Sequence, residues 1–513
     1  MQTNYFFKQF FFITLIFLVF SELKSQSECK NVSFLQVSPE MMKILQETRT
    51  ANYVISNTVP LQNYNPLVQK TLNYLENRGF PFASVYLDSI MERNDTVFAH
   101  LMIDKNLRCM FDTIVVRGNL KIAKNYLRTY FNFKQKKLYN EFIVRQIPQL
   151  IQEIPFAEEK QSSAIEFIED KAALYLFLDK KRVNQFDGYV GVVPVSDLSG
   201  KIAVSGEINF RLMNLFSIGE SIDLQWRATE RFSQFLELKT HFPYLVGTPL
   251  GIDGLLMLDK KDTTYLNMNY IIGLSYSFRG YNAARVYFDY STSNILNKDV
   301  YGYYDFLTYS DYRKTMYGFS FRFRHLDFIY NPRKGYDLNL NMAVGTRKII
   351  ENYQASPFFY EGVDLLSVRY RIQGKLRGYI PLHKRWVLAL SAEGGGLFGK
   401  QHLINELFRL GGMNSLQGFD DLSIRASNYG IGLIEFRFIL AKIAYINAFF
   451  NTAWYEQKIT GNYTHDFPFG FGIGIAFTTK AGLFYMSYAL GRQLDNPISF
   501  KTGKIHFGLA VQF

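Results

Sequence analysis

From about residue 186 to the C-terminus the chain alternates apolar and polar residues, and this period of two constrains the fold more than any other feature. In Phe469, Phe471, Ile473, Ile475 and Phe477 the apolar positions are separated by Gly470, Gly472, Gly474 and Ala476. Tyr317, Phe319, Phe321 and Phe323 alternate with Gly318, Ser320, Arg322 and Arg324. Val368, Tyr370 and Ile372 alternate with Arg369, Arg371 and Gln373. Successive side chains of a strand point to opposite faces, so each segment has one apolar and one polar face. A soluble β-sandwich would use strands of about 5–6 residues. These faces run for about ten, the length a tilted strand needs to cross a bilayer, and the polar faces carry charges suited to water.

Composition agrees with that reading. Aromatic residues are 17% of the 513 positions and charged residues only 20%. So many aromatics exclude a disordered chain, and two cysteines exclude a disulfide-stapled scaffold. The mean hydropathy of −0.07 conceals the pattern, because alternation averages out.

Sixteen alternating segments can be counted between 186–196 and 503–513, an even number as in bacterial single-chain barrels. Closure is required, because an open sheet would leave backbone groups unpaired in lipid. The expected fold is therefore an all-β transmembrane barrel of 16 antiparallel strands over 184–513. The last segment directs Ile505, Phe507, Leu509, Val511 and Phe513 outward.

The N-terminus has the order of a secretory signal peptide over 1–25: Lys8, the apolar run Phe10–Phe20, then small residues. Cys29 follows Gln26-Ser27-Glu28, which lacks the small apolar residues of a lipid-anchor site. An N-terminal segment, 26–60, precedes the first regular pattern. Residues 64–78 have helical spacing, with Pro66 suited to a first turn and Gly79 to the stop. Two strand-like runs follow, and 61–107 reads as a first, divergent α+β unit. Over 108–183 the order is β-α-α-β-β. A disulfide between Cys29 and Cys109 is open on the sequence.

The β-α-α-β-β units resemble polypeptide-transport-associated (POTRA) domains, with Ile114-Val-Val-Arg-Gly-Asn119 at the opening of the second. Phe408-Arg-Leu-Gly-Gly-Met-Asn-Ser-Leu-Gln-Gly-Phe419 resembles the long sixth loop of the BamA/TamA outer-membrane assembly superfamily. The resemblance implies that this loop folds into the lumen, with Gly411, Gly412, Gln417, Gly418 and Phe419 forming its motif. Glu435 and Arg437 match the family's Glu-x-Arg on the following strand. The family's tip carries Arg where this chain has Gln417. The acidic partner of that Arg falls at Asn451, in Phe449-Phe-Asn-Thr-Ala453. Both members of a charge pair are thus amides here. Losing both charges is nearly neutral, whereas losing one strands the other. Gln417 is expected to bond Asn451 or Glu435, or to face lumen water.

The resemblance further implies an outer-membrane location in a Gram-negative-type bacterium, with the POTRA domains in the periplasm. Expected partners are unfolded outer-membrane or secreted client polypeptides, periplasmic accessory proteins and outer-membrane lipid. Clients would be received by strand addition and passed through the lumen or through a seam between first and last strands, marked by Gly188, Gly191, Leu509 and Phe513. Pro194 removes a ladder donor from the first of these. A two-partner secretion transporter and a passive solute channel are the alternatives. No HExxH, CxxC, P-loop or GxSxG motif occurs, so no enzyme, metal or cofactor is expected. His506 reads as structural. The charge of +12 sits largely on lumen faces and does not suggest nucleic acid.

Overall fold

The structure is a computed structural model. It describes residues 31–36, 39–47, 58–194, 202–228, 233–297, 308–328, 331–352, 357–413, 415–459, 461–479, 482–494, 498 and 500–511. The signal-peptide region, Cys29 and Phe513 lie outside these residues. The chain divides into two compact units: 1–113 with 135–145 and 165–174, and 114–134 with 146–164 and 175–513.

Strands β1 (Asn31–Gln36), β2 (Thr58–Pro60), β3 (Ser84–Arg93) and β4 (Thr96–Asp104) form a sheet in the order β2-β1-β4-β3. Strand β1 runs parallel to β4. Helices α1 (Pro39–Glu47) and α2 (Leu61–Glu76) accompany it. Val32, Phe34, Leu45, Val59, Leu67 and Leu101 make the core. Residues 31–60 are therefore not a segment apart, as the sequence suggested: they contribute two strands and a helix to the first sheet. Strands of six and three residues are too short to show a period. Helix α2 also begins earlier than expected, which puts Pro66 inside it rather than in the first turn. The N–H that Pro66 lacks would have served the carbonyl of exposed Gln62, which water can satisfy. Gly79, at φ +98°, ends the helical segment as expected.

The order then repeats in β5 (Met110–Arg117), α3 (Lys124–Tyr130), α4 (Glu141–Glu153), β6 (Ala157–Ile168) and β7 (Lys171–Lys180), with sheet order β5-β7-β6. In both sheets the strand before the helices lies beside the last strand of the unit, leaving β3 and β6 at edges. Cys109 is buried and forms no disulfide among the described residues.

One large antiparallel sheet follows. It comprises β8 (Gln185–Pro194), β9 (Ile202–Met213), β10 (Ser221–Ala228), β11 (Gln234–Phe242), β12 (Leu250–Lys261), β13 (Tyr265–Arg279), β14 (Asn282–Ile295), β15 (Asp311–Leu326), β16 (Gly335–Ile350), β17 (Leu366–His383) and β18 (Trp386–Phe398). A separate hairpin, β19 (Phe408–Leu410) with β20 (Ile424–Ala426), interrupts the series. The sheet resumes with β21 (Asn428–Ala441), β22 (Ala444–Ile459), β23 (Asn462–Asp466), β24 (Phe469–Thr479), β25 (Gly482–Arg492) and β26 (Lys504–Val511). Among the described residues these are seventeen segments, where the sequence suggested sixteen. The additional one is β23, which lies end to end with β24 along the same partner, β22. Pro468 separates them, since it cannot donate to a ladder.

The sheet is inside out relative to a soluble one. Ile473, Tyr317 and Ile272 are 66%, 65% and 61% exposed, whereas Arg347 and Asp289 on the polar face are both fully buried. Apolar side chains of this exposure need a surrounding apolar solvent. No helix among the described residues is long and apolar enough to cross a membrane.

Helix α3 packs against turns of this sheet. Tyr126 stacks on Tyr130 at 5.6 Å and meets the edge of Tyr244 at 5.1 Å. The Ala123 N–H donates to the Ser217 carbonyl at 2.8 Å, and Thr129 Oγ1 donates to the Gly247 carbonyl at 3.1 Å.

Candidate functional site

The connection from β18 to β21 lies against the polar face of the sheet. Its first anchor is electrostatic. The Glu406 carboxylate accepts from Arg347 at 2.7 Å and from the Leu403 N–H at 3.0 Å, and lies 3.6 Å from Arg369. Both arginines also donate to the Gln401 carbonyl, at 2.8 and 2.9 Å. Asn405 adds bonds to Ser293 Oγ and the Ser310 carbonyl. Burial opposes charge on Glu406. The His402 imidazole, 3.5 Å away, and the charges of Arg347, Arg369 and Lys314 prevail, and hold its carboxyl well below the usual range.

The second anchor is apolar. Hairpin β19–β20 presents Leu410, Ile424 and Ala426, which pack with Leu416, Phe419, Tyr429, Ile431 and Tyr455. The turn that leaves the hairpin has Gly411 and Gly412 at φ +112° and +86°, where side chains are rarely tolerated. Ser415 closes it, accepting from the Gly411 N–H and donating to the Gly411 carbonyl.

The tip is held through its backbone. The Gln417 N–H donates to Asn451 Oδ1 at 2.8 Å, and Asn451 Nδ2 donates back to the Gln417 carbonyl at 3.1 Å. Asn451 Nδ2 also donates to the Gly470 carbonyl at 3.1 Å. The Gln417 side chain turns away from Asn451 and accepts from Ser487 at 3.2 Å and Tyr485 at 3.5 Å. Gly418, at φ +98°, donates its N–H to His506 Nε2 at 3.0 Å. A Cβ on Gly418 would sit 2.9 Å from the Leu490 carbonyl oxygen, and one on Gly470 would run into the Gln417 carbonyl. Loop and wall therefore touch backbone to backbone, which explains glycine at these positions.

Beyond the tip, two consecutive aspartates diverge. Asp420 pairs with Lys504 of β26 at 2.7 Å, and Asp421 with Arg227 of β10 at 3.6 Å.

Of the residues singled out by sequence, Gln417, Gly418 and Asn451 come together. Glu435 and Arg437 do not bond the tip: Arg437 donates to Glu435 at 2.6 Å, and Asn447 donates to Glu435 at 2.5 Å. The Arg437 guanidinium also lies over Tyr445, 4.6 Å from the ring centroid. The expected choice between Asn451 and Glu435 is thus met by Asn451, through the Gln417 backbone rather than its amide. Gly188 and Gly191 lie in β8, opposite Ile208 and Ser205 of β9; Leu509 lies in β26, opposite Phe484 of β25. Sequence reading did not find Glu406, Ser487, Tyr485 or the two aspartates. Only the adjacency of Asp420 and Asp421 to Phe419 hinted at the last.

An antiparallel sheet with an outward apolar face and a loop sealed to its polar face defines a β-barrel-type membrane protein. Residues 214–513 match the family model described as the Omp85 superfamily domain, and the chain belongs to that superfamily. Its β-barrels reside in the Gram-negative outer membrane and serve protein insertion or transport. Among solved structures, CdiB from Escherichia coli is 15% identical with a TM-score of 0.55, covering 94% of this chain and 91% of that one. CdiB from Acinetobacter baumannii is 15% identical with a TM-score of 0.52, covering 94% and 90%. BamA from Haemophilus ducreyi lacking POTRA domains 1–3 is 16% identical with a TM-score of 0.47, covering 93% and 98%. At 15% identity the likeness to the two CdiB structures is one of fold. No curated protein sequence gives a significant match.

Proposed function

We propose that this chain is an outer-membrane protein assembly or translocation factor, in which two periplasmic POTRA-like units pass client polypeptides to a sixteen-stranded barrel with a seam between β8 and β26. The observation that carries this reading is the attachment of the loop tip to β26. Gly418 is bonded to His506, and Asp420 to Lys504, both on that strand. A loop that holds the last strand in place suits a seam that opens on the β8 side. The strand order supports closure, since it sets β26 beside β8. Counting β23 and β24 as one interrupted strand gives sixteen. Edge strands β3 and β6 suit strand addition, which needs little from a client's sequence. Residues 1–25 act in this reading as the export signal.

A second reading, a two-partner secretion transporter, is favoured by the presence of two α+β sheets ahead of the barrel among the described residues. A seam lock separates the two. Cysteine pairs are scanned around Gly191 and Leu509 in full-length protein lacking Cys29 and Cys109, reconstituted in liposomes with an unfolded barrel client. Oxidation that blocks client insertion, reversed by reductant, is the expected result. Insertion that proceeds through a locked seam, with export of one soluble protein needing a clear lumen, would replace the assembly reading with the transporter.

A further inference from the structure

Four inward cations lie side by side on three adjacent strands of the sheet. Lys314 of β15 is directly opposite Arg347 of β16, the least favourable arrangement for like charges on neighbouring strands. Arg369 and Arg371 follow two residues apart on one face of β17, opposite Gly345 and Ala343. Two carboxylates enter the cluster. Asp289 accepts from Arg371 at 2.6 Å, and Glu406 accepts from Arg347 at 2.7 Å. Four cations against two carboxylates leave two positive charges in excess. Arg347 is fully buried, Arg369 is 4% exposed and Lys314 9%.

The donors are in excess as well. Arg347 Nε and Nη2, Arg369 Nε and Nη1, and Arg371 Nε are buried and meet no acceptor among the described residues. Unpaired charge in such a setting is costly, and buried N–H donors without acceptors add to that cost. Beside the cluster is a cavity of about 660 Å³, bordered by Lys314, Arg371, Asn269, Ser291 and Glu406. Elsewhere along its lining, Arg409 faces Asp259 at 3.4 Å and Arg227 faces Asp421 at 3.6 Å. The Lys314–Arg371 wall carries the two unbalanced charges of the cluster into this cavity.

We propose that this wall binds a doubly charged oxyanion of the phosphate or sulfate class. Its two charges neutralise the excess, and its oxygens supply acceptors for Lys314 and Arg371, with Arg347 and Arg369 adding to the field from behind. A charge-assisted fork of this kind is how guanidinium groups hold tetrahedral oxyanions. Because Glu406 is part of the cluster, the bound anion also steadies the loop's first anchor. The site is independent of whether the seam opens, so it stands or falls apart from the proposed function.

The test uses full-length protein in detergent. Acylation of Lys314 by a small amine-reactive reagent is followed by mass spectrometry in inorganic phosphate and in chloride at equal ionic strength. The expected result is labelling slowed about tenfold or more by phosphate, with saturation, as a lost charge-assisted bond implies. Repeating the measurement in phospholipid nanodiscs without added phosphate separates the sources: protection there assigns the oxyanion to a lipid headgroup, and its absence assigns it to a free ion. Isothermal titration of Lys314→Gln with phosphate should show binding weakened by a similar factor. Equal labelling in phosphate and chloride in both media would overturn the proposal, as would unchanged phosphate affinity in Lys314→Gln. The labelling of the unmodified protein decides the question if that variant does not fold.

Discussion

Asn451 grips Gln417 as one strand grips another: its side-chain amide accepts from the Gln417 N–H at 2.8 Å and donates to the Gln417 carbonyl at 3.1 Å. The same Nδ2 reaches the Gly470 carbonyl. An aspartate could keep only the first of these bonds and would direct negative charge at two carbonyl oxygens. The Asn451 amide is thus matched to the Gln417 backbone through donor and acceptor roles, with no charge needed.

A double-mutant cycle tests that matching. Asn451→Ala leaves a buried N–H and two carbonyls without their partner and should destabilise by about 1–3 kcal/mol. Asn451→Asp buries an unpaired charge and should cost more, about 3–5 kcal/mol. Adding Gln417→Arg to Asn451→Asp should recover part of the loss, with a coupling of at least about 1 kcal/mol in thermal unfolding of the detergent-solubilised protein. Additive effects would mean that the two positions do not act as a pair.

The aspartate pair predicts a salt-sensitive latch. Asp420 and Asp421 reach β26 and β10, which flank β8 and β9 in the strand order. Each ion pair is partly exposed, so each contributes at most about 1 kcal/mol. Replacing both with Asn should raise hydrogen exchange in β26 by up to about tenfold at low salt, with little difference at high salt. Exchange equal to that of the unmodified protein at low salt would remove the latch.

Glu406 predicts a loop anchor that withstands acid. Its carboxyl pKa is depressed in the folded protein, so its stabilising contribution is present above the unfolded value of about 4.3 and is lost only as pH falls through the lower folded value. Protease resistance of the loop should therefore persist at about pH 4, where ordinary carboxylates are half protonated. Glu406→Gln, which leaves Arg347 without its counter-charge, should destabilise by about 3–5 kcal/mol near neutrality. A difference between the two proteins that disappears by pH 4 would contradict the depressed pKa.

Tyr126 predicts how firmly α3 sits on the sheet turns. The side chain is 7% exposed, and Gly219 leaves the space its ring occupies. Tyr126→Ala should cost about 3–5 kcal/mol of local stability and open the 118–124 segment to limited proteolysis. Gly219→Ala should act in the same direction while leaving Tyr126 in place. Resistance to protease in both variants would mean that other contacts of the helix suffice.

The sequence by itself determined the large sheet, because a period of two sustained over ten residues leaves the backbone no other way to separate apolar from polar faces. It placed Phe469–Phe477 and Val368–Ile372 in strands, and placed Gln417, Gly418 and Asn451 at the loop and its wall through family resemblance. It did not show β1 and β2, whose few residues are too short to carry a period. It also could not distinguish a side-chain contact from a backbone one at Gln417. Which carbonyl meets which amide depends on register and on the absence of a Cβ at Gly418 and Gly470. The excess of charge around Lys314 was equally hidden. The outermost two of its four cations, 314 and 371, are 57 residues apart in sequence, and the four become neighbours only when β15, β16 and β17 pair in register. Alternation is a local property and survives in one dimension; electrostatic balance and backbone contact are sums over strands that only the folded sheet brings together.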